Sequence, residues 1–454
     1  MTLASINPMT GARLADYPLW AGPQLEQALV QTAAAAPDWQ CSTCARRAEP
    51  LRRVAAQLRG KCDRYALLMA VEMGKPVQEG RAEVEKCAWA CEFFAEHAER
   101  FLQAEPVATE ARRSYIAYDP LGTVLAVMPW NFPFWQVFRF AAPALMAGNC
   151  VLLKHASNVP QCAEAIEQLF QAAGFPPGVF RWLRVSSEQA EGLIADPRVH
   201  AVTLTGSEQA GRRVASLAGA SLKKTVLELG GSDPFVVLAD ADLEVAASAA
   251  VAARFRNNGQ SCIAAKRFVL LEAIADDFLA LFRPKVEALR IGDPLREETQ
   301  LGPMARADLR MQLHRQVTES IRLGAKALCG CEPIKGPGQF YRPSILDRVR
   351  PGMPVFDDEV FGPAAALIRV RDEAEALAVA NNHRYALGAS VWSRDPATGE
   401  LFARHLQGGA VTVNEQVHSD PRLPFGGVKN SGYGRELGQA GIREFVNVRS
   451  VWLT

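Results

Sequence analysis

A chain of 454 residues is longer than one hydrophobic core ordinarily fills, so two large domains are expected. Lysine and arginine number 50 against 49 aspartates and glutamates, a net charge of +1 that provides no field for nucleic acid or an anionic membrane, so partners should be small molecules or copies of the chain. Ten cysteines, no apolar leader behind a basic start and no long apolar run point to a reduced, cytoplasmic setting.

From about Pro23 to Phe101 the sequence is alanine-rich and charged with helical periodicity, which predicts a helical layer in which no chemistry is visible. Cys41 and Cys44 form a CxxC pair, and Cys329 and Cys331 a CxC pair. Neither has companions at zinc-site spacing, so no metal is expected. The alternating segment Arg113–Pro120 follows without a local partner. After Leu121, short apolar runs alternate with amphipathic stretches: GTVLAVM, a helix from about Phe134, NCVLLKHA, another helix, VFRWLRV and AVTLTGS. A second such series follows Cys262 and runs through KRFVLLEA, AAALIRV, GASVWS and GAVTVN. Both series predict parallel sheets covered by helices, an α/β fold in two domains.

Three segments carry chemistry. FRNNGQSC presents Cys262 behind Arg256, Asn257, Asn258, Gly259, Gln260 and Ser261, a polar turn that suits a reactive thiol of lowered pKa better than a core cysteine. In TVLELGG, Glu228 ends an apolar strand before two glycines. Burial there would raise its pKa and make it a general base, although the spacing equally fits a glutamate facing solvent. In PWNFP, Asn131 lies between two prolines that hold its backbone, as an oxyanion donor requires and as a helix-capping asparagine would also permit.

Two arginines stand out. Arg139 falls on an otherwise apolar helix, where it needs an anion, and Arg256 lies six residues before Cys262; each also fits a structural ion pair. TGSEQAG follows a strand and opens a helix, the context of an anion-binding turn, but its glycines stand only at Gly206 and Gly211, short of the usual dinucleotide pattern.

On these motifs, with EVFGP around Glu359 and Phe361, the chain resembles the aldehyde dehydrogenase superfamily over nearly its whole length, and within it the succinate-semialdehyde dehydrogenases most. The resemblance implies a Rossmann-type cofactor domain (1–102 and 121–229), an α/β catalytic domain (230–430), and a small β oligomerisation arm with the C-terminal segment (103–120 and 431–454), the arm pairing Arg113–Pro120 with a strand near Glu444–Leu453. It implies Cys262 as nucleophile, Glu228 as base and Asn131 as oxyanion donor, and a substrate carboxylate held by Arg139, Arg256 and Ser419. Cofactor contacts are implied at Trp130, Asn131, Lys154, Ser157, Gly206, Ser207, Leu229, Glu359 and Phe361. Serine at 157, where NAD-using relatives generally carry glutamate, favours NADP over NAD because no carboxylate opposes a 2'-phosphate. The implied activity is oxidation of succinate semialdehyde to succinate in a homodimer or homotetramer; glutarate semialdehyde or an aliphatic aldehyde is the nearest alternative, and a cofactor-free cysteine esterase a more distant one. Glu436 is a lesser candidate for proton relay. Ile263 and Ala264 leave no second cysteine for a local redox switch.

Overall fold

The computed structural model describes residues 2–454. The expected helical layer consists of four helices, Gly22–Cys41, Cys44–Gly60, Cys62–Met73 and Val77–Phe101, preceded by a hairpin of Thr2–Ile6 and Arg13–Pro18 that the sequence reading omits. The longest, Val77–Phe101, buries Val84, Cys87, Ala88, Cys91, Phe94, Ala95, Ala98 and Phe101, an i, i+3, i+4, i+7 stripe that faces the other helices.

The first sheet has the strand order 432–433, 224–228, 201–205, 123–128, 150–155, 180–182, and every pairing is parallel except at the short 432–433 edge. Its central strands are buried on both faces, which explains why they read as continuous apolar runs. The second sheet has the order 326–329, 344–347, 364–370, 265–271, 233–237, 388–392, 410–413, and is antiparallel only at its 326–329 edge.

Arg113–Pro120 pairs antiparallel with Val446–Leu453 over eight residues in a three-stranded sheet completed by Glu105–Pro106. Val448 and Trp452 on this sheet are largely exposed, at 60% and 58%. No helix among the described residues is long and apolar enough to cross a membrane.

The two large sheets are turned so that the carboxyl ends of the first face the loop that precedes Ala265–Leu271 of the second. Crevices at the carboxyl ends of open parallel sheets are where α/β proteins bind ligands. Asn257 Nδ2 donates to the Asn131 carbonyl at 2.7 Å and Gly231 N donates to Glu359 Oε1 at 3.0 Å, so both joints run across this crevice.

Candidate active site

The thiol is presented by a forced turn. Helix Leu243–Phe255 ends at Arg256, and the next three residues all adopt positive φ: Asn257 at 54°, Asn258 at 58° and Gly259 at 72°. Left-handed backbone costs a non-glycine residue free energy, and asparagine tolerates it best. Each asparagine is held by its side chain. Asn257 Nδ2 donates to the carbonyls of Asn131 and Gln260, while Asn258 Nδ2 donates to those of Gly74 and Pro303 and its Oδ1 accepts from Gly302 N. At Gly259 a Cβ would lie 2.5 Å from the Gly362 carbonyl, so only glycine passes.

Beyond the turn, Lys266 Nζ donates to the carbonyls of Ser261 at 2.9 Å and Cys262 at 2.7 Å. A trans peptide points its N–H opposite its C=O, so anchoring the Ser261 carbonyl aims the Cys262 N–H away from Lys266. Among the described residues no acceptor takes that N–H. Sequence reasoning passed over Lys266, which stands inside an apolar strand and would have been visible only as a fully buried charge in need of partners.

The expectation of a lowered thiol pKa is not met. Burial pushes Cys262 up to about 12; Arg139 and Lys266 pull against it, and Glu359 and Glu228 add to the rise. The polar turn that suggested activation spends its polar groups on the backbone, so none of them lies beside the sulfur to stabilise a thiolate.

Asn131 is nearly buried and its Nδ2 donates to the Gln260 carbonyl at 3.1 Å, which fixes the amide beside the Cys262 loop. It does not cap the Trp135–Met146 helix. That role belongs to Glu83, whose Oε1 accepts from Phe134 N and Trp135 N, both at 2.9 Å.

Glu228 ends strand Lys224–Glu228 at 2% exposure, and neither carboxylate oxygen has a well-formed hydrogen bond. Burial raises its pKa well above the ordinary value, Arg139 opposes the rise and Glu436 reinforces it. Glu436 is also buried and forms an ion pair with Arg139 Nε. The anion that Arg139 was expected to need is therefore supplied by the protein itself. Its guanidinium also donates to Thr205 Oγ1 at 3.3 Å and lies over the Phe425 ring at 4.8 Å.

A cavity of about 400 Å³ opens onto Cys262 and is walled by Phe132, Trp135, Gln136 and Phe425 with Arg139, Arg256 and Ser419. All three residues expected at a substrate carboxylate thus line one space. Arg256 has no ion-pair partner among the described residues. Contrary to the expectation of a helical layer without chemistry, Glu79, Glu83 and Lys86 of Val77–Phe101 line the same cavity. These three lay hidden in an ordinary amphipathic pattern.

A second cleft, of about 480 Å³, is lined by Lys154, Ser207, Leu204, Ala210 and Arg213. Ser207 caps helix Glu208–Ala220, its Oγ accepting from Ala210 N at 3.3 Å, so the amino end of the helix opens on this cleft. Gly206 N donates to the Glu228 carbonyl. A Cβ at Gly211 would lie 2.5 Å from Leu229, which is why the helix packs so closely on the strand end. Ser157 is exposed three residues beyond Lys154, and Arg213 is paired with Glu191. Trp130 meets Phe361 edge-on at 5.7 Å, and Glu359 Oε1 is taken by Gly231 N and lies 3.7 Å from Lys266 Nζ. A phosphate-bearing nucleotide fits this cleft on the strength of its donor set, a lysine and a helix amino end, with the lining carboxylate Glu191 already paired with Arg213.

A family model described as the aldehyde dehydrogenase family matches residues 1–451. The chain is 48% identical over 449 residues to succinate semialdehyde dehydrogenase NAD(P)+ Sad of Escherichia coli (strain K12), covering 99% of this chain and 97% of the other. It is 45% identical over 456 residues, 100% of both chains, to succinate-semialdehyde dehydrogenase NADP(+) 1 of Mycobacterium bovis (strain BCG / Pasteur 1173P2). Among solved structures, succinic semialdehyde dehydrogenase from Streptococcus pyogenes in complex with NADP+ superposes with a TM-score of 0.97 at 36% identity, with 99% of each chain covered.

Proposed function

The chain belongs to the aldehyde dehydrogenase family, and from that premise we propose that it oxidises succinate semialdehyde to succinate, with NADP favoured over NAD as acceptor. One observation carries the substrate: the cavity at Cys262 combines apolar walls such as Phe132, Trp135 and Phe425 with Arg139, Arg256 and Ser419, and Arg256 is unpaired. A four-carbon aldehyde bearing a far carboxylate satisfies both ends. An uncharged aldehyde would leave the cation unanswered.

In this reading Cys262 gives its proton to solvent water in the open cavity and its sulfur adds to the aldehyde carbon. The resulting oxyanion is met by the Cys262 N–H and by the Asn131 amide, two donors already fixed in place. The nicotinamide cofactor, when bound, supplies the hydride acceptor. Lys154, Ser207 and the helix amino end would hold its phosphates, with Ser157, Gly206 and Leu229 beside them and Trp130, Phe361 and Glu359 toward the nicotinamide half. Glu228, as the carboxylate of a group whose pKa burial raises, takes a proton from the water that cleaves the thioester and releases the free acid.

We assign residues 1–102 and 121–229 to the cofactor domain, 230–430 to the catalytic domain, and 103–120 with 431–454 to the arm and C-terminal segment. The exposed Val448 and Trp452 support an arm that packs on a second copy, in a cytoplasmic homo-oligomer.

The test is an aldehyde panel assayed with each cofactor by the appearance of reduced nicotinamide. Succinate semialdehyde with NADP should give the highest kcat/KM. Equal turnover of butanal would remove the case for the carboxylate site.

A further inference from the structure

Arg139 and Arg256 are not equivalent. Arg139 is already neutralised by Glu436 and shares its charge with Glu228, so little of its field remains for a ligand. A ligand carboxylate would therefore meet its one full charge at Arg256, which is exposed to water that screens it.

A further cation stands in the same cavity. Lys86 projects from helix Val77–Phe101, its Nζ donating to Ser419 Oγ at 2.8 Å and lying 4.5 Å from the Trp135 ring centroid. It has no ion-pair partner among the described residues. The groups around it are mostly cationic or already engaged: Arg139 and Arg256 repel it, Asp420 is paired with Arg422 at 2.6 Å, and Cys87 lies on its own helix. Glu79 and Glu83 line the cavity from that helix, but Glu79 accepts from Asn257 N and Glu83 is paired with Lys75 and caps the Trp135–Met146 helix; His418 completes the facing loop.

We propose that Lys86, oriented by Ser419 and Trp135, binds the far carboxylate of the substrate together with Arg256, and that this pair, more than Arg139, sets the preference for a carboxylate-bearing aldehyde. The assignment rests on the proposed oxidation of succinate semialdehyde and says which side chains select it. The Ser419 hydroxyl accepts from Lys86 and so turns its own proton toward the ligand, which gives the carboxylate two cations and one neutral donor.

A consequence follows for pH. Burial, then Arg139 and Arg256, lower Lys86 to about 8, so in the free enzyme its charge is present below that value and lost as pH rises through it. An ammonium held that low is a switchable cation.

The experiment compares succinate semialdehyde with butanal, equal in carbon number, in the full-length parent, Lys86→Gln and Lys86→Arg, with cofactor binding measured as a check on folding. Lys86→Gln should raise KM for succinate semialdehyde so that kcat/KM falls by about 10- to 100-fold, the loss of one charge-assisted contact, with kcat nearly unchanged and butanal altered less than about twofold. Lys86→Arg should recover most of the loss. Because both substrates use the same thiol and base, their kcat/KM ratio cancels those titrations. In the parent that ratio should fall above pH 8, in Lys86→Gln it should be flat, and in Lys86→Arg it should stay high. A parental preference that survives Lys86→Gln, or an equal loss on both aldehydes, overturns this assignment alone. A parent that shows no preference for succinate semialdehyde overturns the substrate reading and this assignment with it.

Discussion

The substrate cavity and the cofactor cleft solve the handling of charge in opposite ways. At and behind the cavity, Glu436, Arg139, Lys266 and Glu83 are almost wholly buried and each is held by another charge or by carbonyls, while Glu228 is buried without a hydrogen-bond partner among the described residues. In the cleft, Ser207 is exposed, and the polar surface is made by a helix end, a lysine at a strand end, hydroxyls and the solvent-exposed Arg213–Glu191 pair, with Ser157 exposed three residues beyond Lys154. The difference teaches that the two regions should respond differently to substitution. Removing one buried charge leaves its partner unpaired in a dry interior and damages the fold as well as the reaction, whereas a change in the open cleft should retune selection and little else.

The largest expected effect is Cys262→Ala, which should abolish aldehyde oxidation while cofactor binding, measured by fluorescence titration, is retained. A variant that still reduced the nucleotide near the parental rate would end the covalent reading. The thiol also fixes a pH dependence: with Cys262 at about 12, the thiolate fraction grows as pH rises, so the rate of acylation in single-turnover assays should increase toward alkaline pH. Glu228→Gln should then separate the two halves of the reaction, sparing acylation and slowing release of the acid so that acyl-enzyme accumulates, as intact-protein mass spectrometry would detect.

Next in size is Arg139→Met. It breaks the ion pair with Glu436 and removes the cation that opposes protonation of Glu228, and should cost about 3 to 5 kcal/mol of stability, read as a lowered Tm. Losses confined to kcat/KM with an unchanged Tm would show that Arg139 serves the substrate more than the fold. Arg256→Ala, at an exposed and unpaired site, should leave Tm nearly unchanged and lower kcat/KM for succinate semialdehyde by about 10- to 100-fold, with butanal spared. The smallest effect belongs to the cleft. Ser157→Glu should lower the NADP to NAD ratio of kcat/KM by about tenfold, and an unchanged ratio would place the preference elsewhere, with Arg213 the next residue to examine.

Much of this site was legible in the linear order of residues because its chemistry sits at places where local rules are broken. A glutamate closing an apolar strand, an asparagine between prolines, a thiol behind two asparagines and a glycine, and an arginine on an apolar helix each conflict with what their neighbours favour. Strand periodicity likewise announced both sheets, since strands buried on both faces must be apolar throughout. Three things depended on the folded chain. Lys86 and Glu83 sit in a helix whose amphipathic pattern is satisfied without them, so nothing local marks them; they acquire meaning only because that helix lies against Trp135 and Ser419, the latter more than three hundred residues away. The partner of Arg139 is Glu436, almost three hundred residues on, and no spacing rule connects them. The thiol pKa went against local expectation because desolvation depends on everything packed around an atom, whereas a sequence displays only the groups beside it along the chain.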